Sequence, residues 1–379
     1  MEGRLPLSAK THHRIVVKVG SAVLSGPSGR RQQLAIADQI AGLRGEGREV
    51  VLVSSGAMAT GLGKLGLHER PKTMPGKQAI AAVGQPTLMY LWEQAFGWYD
   101  LKVAQILLTA EDLAHRHRYL NARQTILTLL AWGIVPIINE NDTVMVDEIK
   151  FGDNDQLSAL IASLVGADLL ILLSDIEALY DADPRTHPEA KPIHHVERVD
   201  ALVMRMAGEE PGQVGTGGMR SKLLAAEKAQ AAGIPTLLLP GTRPESIAQA
   251  LRGETVGTLF AGGNRRYSGQ KLWLYQLPKP QGEVVVDPGA AQALRQGGAS
   301  LLPAGIREVR GTFGVGEAVR CLDAEGSLIG VGLVNYSAAE LGRIKGRKTR
   351  EIETVLGYKN TDEAIHRDHF ALASEIGEK

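Results

Sequence analysis

Short runs of β-branched residues and leucine recur along this chain, each set off from the next by a segment long enough for a helix. This alternation limits the fold more than any other feature. Ile15-Val16-Val17-Lys18-Val19, Val50-Val51-Leu52-Val53 and the runs 103–108, 134–138, 169–173 and 236–239 read as strands. Helices are expected over about 31–46, 77–97, up to 131, up to 165 and 219–232, the last stopped by Gly233. The pattern predicts an α/β fold, a mostly parallel sheet sandwiched by helices.

In such sheets ligands bind beyond the carboxyl ends of the strands. Gly20-Ser21-Ala22, Ser54-Ser55-Gly56, the stretch 139–155 and Ser174-Asp175 each follow directly on a strand, so all four are expected to converge on one edge. The stretch 139–155 carries Glu140, Asp142, Asp147, Glu148, Asp153 and Asp155 beside Lys150. Carboxylates at this density repel one another unless a metal, a lysine or a cationic substrate group neutralises them. An arbitrary acidic loop is more often simply solvated, but the place of this one, between a buried-type strand and an amphipathic helix, points to a site.

The chain has no G-x-x-x-x-G-K-[ST] loop. Gly61-Leu62-Gly63-Lys64-Leu65-Gly66 fits G-x-G-x-x-G, but Ala57 to Thr60 separate it from the strand and Pro71 and Pro75 follow it, which argues against a dinucleotide site. Thr216-Gly217-Gly218-Met219-Arg220-Ser221-Lys222 is a better phosphate cradle, because its glycines let the backbone approach an anion and a helix follows. The bland alternative is a glycine-rich turn with a solvated lysine. Lys18 is harder to explain blandly, since a lysine in a buried strand needs an anionic partner.

Lys+Arg and Asp+Glu balance at 42 each, so no overall field draws in nucleic acid or membrane. The single cysteine, Cys321, excludes an internal disulfide framework and suits a reducing compartment. No apolar run reaches membrane-spanning length, and nothing near Met1 resembles a secretory signal, so a cytoplasmic protein is expected. After Phe260 the composition shifts: residues 1–265 read as one domain, 266–281 as a linker, 282–362 as a small β-rich domain and 363–379 as a polar tail.

Lys18-Val19-Gly20-Ser21, Val53-Ser54-Ser55-Gly56-Ala57, Asn139-Glu140-Asn141-Asp142, Phe151-Gly152-Asp153-Asn154-Asp155 and Thr216 to Lys222, in that order, resemble the amino acid kinase superfamily over nearly the whole chain. Within it they are most similar to the members that phosphorylate glutamate. The resemblance implies ATP-dependent phosphorylation of the side-chain carboxylate of L-glutamate to L-glutamyl 5-phosphate by direct in-line transfer, the first step of proline biosynthesis. It implies that Ser55, Asp142 and Asn154 hold glutamate. Lys18, Gly20, Ser174, Asp175, Thr216, Gly217, Gly218, Met219, Arg220, Ser221 and Lys222 would hold ATP. Lys18 and Lys222 would flank the moving phosphoryl group with Asp155 orienting them, and Asp153 and Asp155 would lie nearest Mg²⁺.

The same resemblance implies feedback inhibition by proline, a homo-oligomer (dimer or tetramer) and coupling to glutamate-5-semialdehyde dehydrogenase. Kinases of this fold that act on aspartate, N-acetylglutamate, carbamate or UMP are the nearest rivals, and should lack the paired N-E-N-D and G-D-N-D loops. A more distant rival is an RNA-binding protein with an inactive kinase-like domain, against which intact Lys18, Asp155 and Lys222 argue. Ser21-Ala22 stands where the family often has Thr-Ser, and Ser174 where it often has Thr. Neither change removes a charge.

The stretches 289–294, 300–306 and 329–336 resemble a PUA domain, a small β-barrel of RNA-modifying enzymes. Its basic cluster Arg343, Lys345, Arg347, Lys348 and Arg350 reads as a solvated or oligomer-facing surface in preference to an RNA contact.

Overall fold

The computed structural model describes residues 12–26, 28–109, 112–113, 116–144, 154–207, 218–263, 280–296, 298–359 and 361–373. The first unit runs β1 (Arg14–Val19), α1 (Ser21–Leu24), α2 (Gly29–Gly45), β2 (Glu49–Ser54), α3 (Ala57–Leu65), α4 (Met74–Gly97), β3 (Val103–Leu108), α5 (Arg116–Ala131) and β4 (Val135–Glu140). It continues through α6 (Asn154–Val165), β5 (Leu169–Ser174), β6 (Leu179–Tyr180), β7 (Pro192–Ile193), β8 (His195–Val196), α7 (Ala201–Arg205), α8 (Met219–Ala231), β9 (Thr236–Pro240), α9 (Ser246–Leu251) and β10 (Thr258–Phe260).

Its eight-stranded sheet has the order β3-β4-β2-β1-β5-β9-β10-β8. The six strands from β3 to β9 pair in parallel; β10 alone runs against its neighbour β9. The central strands are buried on both faces, which is why they read as unbroken apolar runs and not as alternating ones. Register places Val19 opposite Ser54 and Leu173, and Ser174 opposite Pro240. The strand-end stretches at Gly20, Ser55, Asn141 and Asp175 therefore share one edge, as the parallel reading requires.

The G-x-G-x-x-G stretch forms most of α3 and has a packing role. A Cβ at Gly61 would lie 2.0 Å from the Ile80 carbonyl oxygen, and one at Gly84 of α4 would lie 1.8 Å from that of Ala57, so the two helices cross backbone against backbone. Pro75 occupies the first turn of α4, where a missing N–H costs nothing, and Pro86 sits inside that helix. Gly56 adopts φ 113°, a left-handed conformation that lets the chain turn from Ser55 straight into α3.

The second unit contains β11 (Gly282–Val286), α10 (Pro288–Gln296), β12 (Ile306–Gly311), β13 (Ala318–Leu322), β14 (Leu328–Leu333), α11 (Ala338–Ile344), α12 (Ile352–Leu356) and β15 (Phe370–Leu372). Its five-stranded sheet has the order β12-β11-β13-β14-β15, antiparallel except where β11 meets β13. β15 falls in the stretch read as a polar tail, yet it pairs with β14 and brings Phe370 into the core. Ala364 and Ile365 are fully buried beside it, and the Leu301 N–H donates to the Ile365 carbonyl. The linker expected over 266–281 lies almost wholly outside the described residues.

Candidate functional site

Lys18 stands on β1 beside the middle of the sheet, where a parallel strand on either side leaves its stem no route to water. Its ammonium pairs with Asp155 Oδ1, and Lys222 Nζ donates to Asp155 Oδ2 at 3.2 Å. Lys18, Asp155 and Lys222 are 3%, 0% and 6% exposed, so this is a buried cation–anion–cation cluster. Burial by itself would raise the Asp155 carboxyl, but Lys18 and Lys222 outweigh it by charge and hydrogen bonds and hold its pKa below the ordinary carboxylate value.

Local sequence explains the placement. Asp155 lies in the first turn of α6, where a carboxylate suits the helix dipole. Lys222 lies in the opening turns of α8, which packs on α6 through small residues: Ala159 and Ala162 of α6 and Ala225, Ala226 and Ala229 of α8 are all buried. Lys228 Nζ donates to Gln156 Oε1 at 2.7 Å and ties the two helices together again. One carboxylate thus positions lysines from β1 and α8.

The start of α8 has Gly218 as its N-cap, with no side-chain cap bond, and among the described residues the buried Ser221 hydroxyl has no hydrogen-bond partner. Helix N–H groups left open in this way suit an anion. Met219 is half-buried and Arg220 exposed, while Thr216 and Gly217 of the expected cradle lie outside the described residues. Gly20 faces the same cluster, since a Cβ built there would lie 3.7 Å from Lys18 Nζ. Ser174 is buried at the end of β5 and its hydroxyl donates to Asp175 Oδ1 at 3.2 Å; Asp175 is exposed.

A second, neutral cluster adjoins the first through Asn154. Its Nδ2 donates to Ser55 Oγ and to Asn139 Oδ1, both at 2.8 Å. Asn139 Nδ2 in turn donates to Gln85 Oε1 of α4 at 2.8 Å. Trp92, two turns further along the same face of α4, donates from Nε1 to Ser54 Oγ at 2.8 Å. Asp142 lies two residues past the end of β4, half-buried, in a turn closed by the Val144 N–H on the Asn141 carbonyl. Of the carboxylates named for Mg²⁺, Asp153 lies outside the described residues, and each Asp155 oxygen is already engaged by an ammonium.

Sequence reading missed Gln85 and left Asn139 without a role. The available signal was a glutamine between Gly84 and Pro86, next to the apolar run from Ala79 to Val83. The described histidines His12, His13, His194 and His195 bond to backbone carbonyls or approach the carboxylates of Glu49 and Glu197, away from both clusters.

A lysine pair around one carboxylate, an open helix N-terminus and a neutral polar cluster at the carboxyl edge of a parallel sheet are the parts of a phosphoryl-transfer site. Residues 13–239 match the amino acid kinase family. The chain belongs to that family. Residues 282–356 match the PUA domain. Over 376 residues the chain is 85% identical to the glutamate 5-kinase of Meiothermus ruber, a match covering 99% of this chain and all of that one. It is 60% identical to a glutamate 5-kinase of Thermus thermophilus (97% of this chain, 99% of that one), and 50% identical to that of Geobacter sulfurreducens (95% and 97%).

Proposed function

We infer that this amino acid kinase transfers the γ-phosphoryl group of ATP to the side-chain carboxylate of L-glutamate, forming L-glutamyl 5-phosphate at the entry to proline biosynthesis. The observation that carries the chemistry is the buried Lys18–Asp155–Lys222 cluster. Full-length similarity to relatives named glutamate 5-kinase supports the substrate.

Phosphoryl transfer asks a protein mainly to align two oxygens and to neutralise charge on the group in flight. Lys18 and Lys222 supply two positive charges near the sheet edge, and Asp155 prevents them from moving apart. The attacking carboxylate is ionised at neutral pH and needs no general base. Gly20, Ser174, Asp175 and the start of α8, from Gly218 to Ser221, form the nucleotide side; Ser55, Asp142 and Asn154 form the glutamate side. Mg²⁺ enters this reading as the ion carried by the ATP phosphates. Asp155, with both oxygens engaged by ammonium groups, fits a role in holding lysines better than one in holding a dication.

The same reading takes proline as a feedback inhibitor, a homo-oligomer as the working form, coupling to glutamate-5-semialdehyde dehydrogenase and the cytoplasm as the location. Among the described residues no helix is long and apolar enough to cross a membrane.

The test is an acyl-phosphate trap. Protein, ATP, Mg²⁺ and hydroxylamine are offered L-glutamate, L-aspartate or N-acetyl-L-glutamate separately. Hydroxamate with glutamate alone is the expected result; preference for another acid would reassign Asp142 and Asn154, and silence with all three would remove the reaction.

A further inference from the structure

We infer that Gln85 is a specificity-determining residue whose side-chain amide donates to the α-carboxylate of the substrate. The inference rests on the glutamate reading above and adds to it the group that recognises the non-reacting end.

Hydrogen-bond direction fixes how the amides face. The Glu140 backbone N–H can only donate, and it donates to Asn139 Oδ1 at 2.9 Å, so that atom is the acceptor. Asn139 Nδ2 must then be the donor to Gln85, and the Gln85 atom it meets must be Oε1. Gln85 Nε2 is thereby left as a donor, and it is buried with no hydrogen-bond partner among the described residues. Gln85 is only 9% exposed. Buried donors are almost always satisfied, so one that is not, beside a ligand site, points to a partner that arrives with the ligand.

Position identifies that partner. Asn139 lies on β4, two strands from Lys18 on β1 in the order β4-β2-β1, which is about 10 Å across the sheet at ordinary strand spacing. A substrate whose reacting carboxylate lies by the lysines extends its other end past Ser55 and Asn154 towards Gln85. At that end glutamate carries an ammonium and a carboxylate, and only the carboxylate accepts. The ammonium suits Asn154 Oδ1, the acceptor left when Nδ2 is committed to Ser55 and Asn139.

Gln85→Glu keeps the oxygen that receives Asn139 Nδ2 and replaces the free donor with an acceptor; Gln85→Met removes both and preserves the shape. Each is compared with the unaltered enzyme in the hydroxamate assay on L-glutamate and on L-isoglutamine, whose α-carboxylate is an amide and whose γ-carboxylate is intact. In Gln85→Glu the KM for glutamate should rise at least tenfold with the KM for ATP within twofold, and the preference for glutamate over isoglutamine should reverse. In Gln85→Met that preference should shrink by about tenfold. An unchanged preference in whichever variant folds, with glutamate KM unmoved, would overturn the proposal and leave Gln85 as a brace for Asn139. Failure of the unaltered enzyme to phosphorylate glutamate would instead defeat the reaction reading, and this proposal with it.

Discussion

Asp155 has no exposure and two ammonium partners, so its removal leaves like charges facing each other in a dry site. Breaking a buried pair in this way costs about 3–5 kcal/mol. Asp155→Asn is expected to lose stability on that scale in denaturant unfolding; a loss below about 1 kcal/mol would show that the lysines find other partners. The pH dependence follows from the direction of the shift. The folded carboxyl titrates below its unfolded value, so its contribution is fully present above the unfolded pKa of about 4 and is lost as pH falls through the folded one. The stability gap between the two proteins should therefore be flat from pH 7 down to about 4 and narrow only below that. Lys222→Ala tests the chemistry instead. Losing one charge partner of the transition state commonly costs about 10²–10³-fold, so kcat should drop by that factor while glutamate KM moves little, and unchanged turnover would dismiss the role.

Helices α3 and α4 form the wall behind Ser55 and carry Gln85, and their separation is set by glycine. Gly84→Ala puts a methyl group 1.8 Å from the Ala57 carbonyl oxygen, which only a backbone shift relieves, whereas a Cβ at Gly63 meets nothing within 4 Å. Overpacking costs about 1–3 kcal/mol, while alanine for glycine inside a helix gains about 0.5–1 kcal/mol. Thermal unfolding should therefore move in opposite directions for Gly84→Ala and Gly63→Ala; a shared direction would show that the helices slide freely. These elements also show what was readable in the chain. The parallel sheet was legible because strands buried on both faces leave unbroken apolar runs, and Lys18 stood out inside one of them. Asp155 was singled out among its neighbouring carboxylates by the family resemblance alone, since its meeting with α8 is not encoded in spacing. Gln85 stayed hidden because its donor is exposed as unsatisfied only after Asn139 and Glu140 are placed beside it. The glycines of α3 matched a nucleotide pattern for a reason unrelated to nucleotides, since close helix crossing selects the same residue.

The whole chain is two folding units, and the second extends past the point where its apolar runs stop. In the stretch 363–373 the polar residues conceal two large core side chains, Ile365 at 0% and Phe370 at 6% exposure, beside the buried Ala364 and Ala371. Backbone bonds reinforce them: Ala364 N–H donates to the Leu301 carbonyl and Asn335 N–H to the Ala364 carbonyl, both at 2.8 Å. Each such side chain contributes about 1.5–3 kcal/mol by burial, so losing both removes a large part of the 5–15 kcal/mol, roughly, that holds a small domain folded. A chain ending at Asp362 would also leave β14 without its β15 neighbour. Hydrogen exchange on that truncated protein should show lost protection across β11 to β14 with protection of β1, β2 and β5 kept. Every described residue of the two polar clusters belongs to the first unit, so glutamate-dependent hydroxamate formation should persist within about threefold. Retained protection in β14 would mean that the sheet closes without β15, and lost activity with the first unit intact would assign the second unit a part in the reaction.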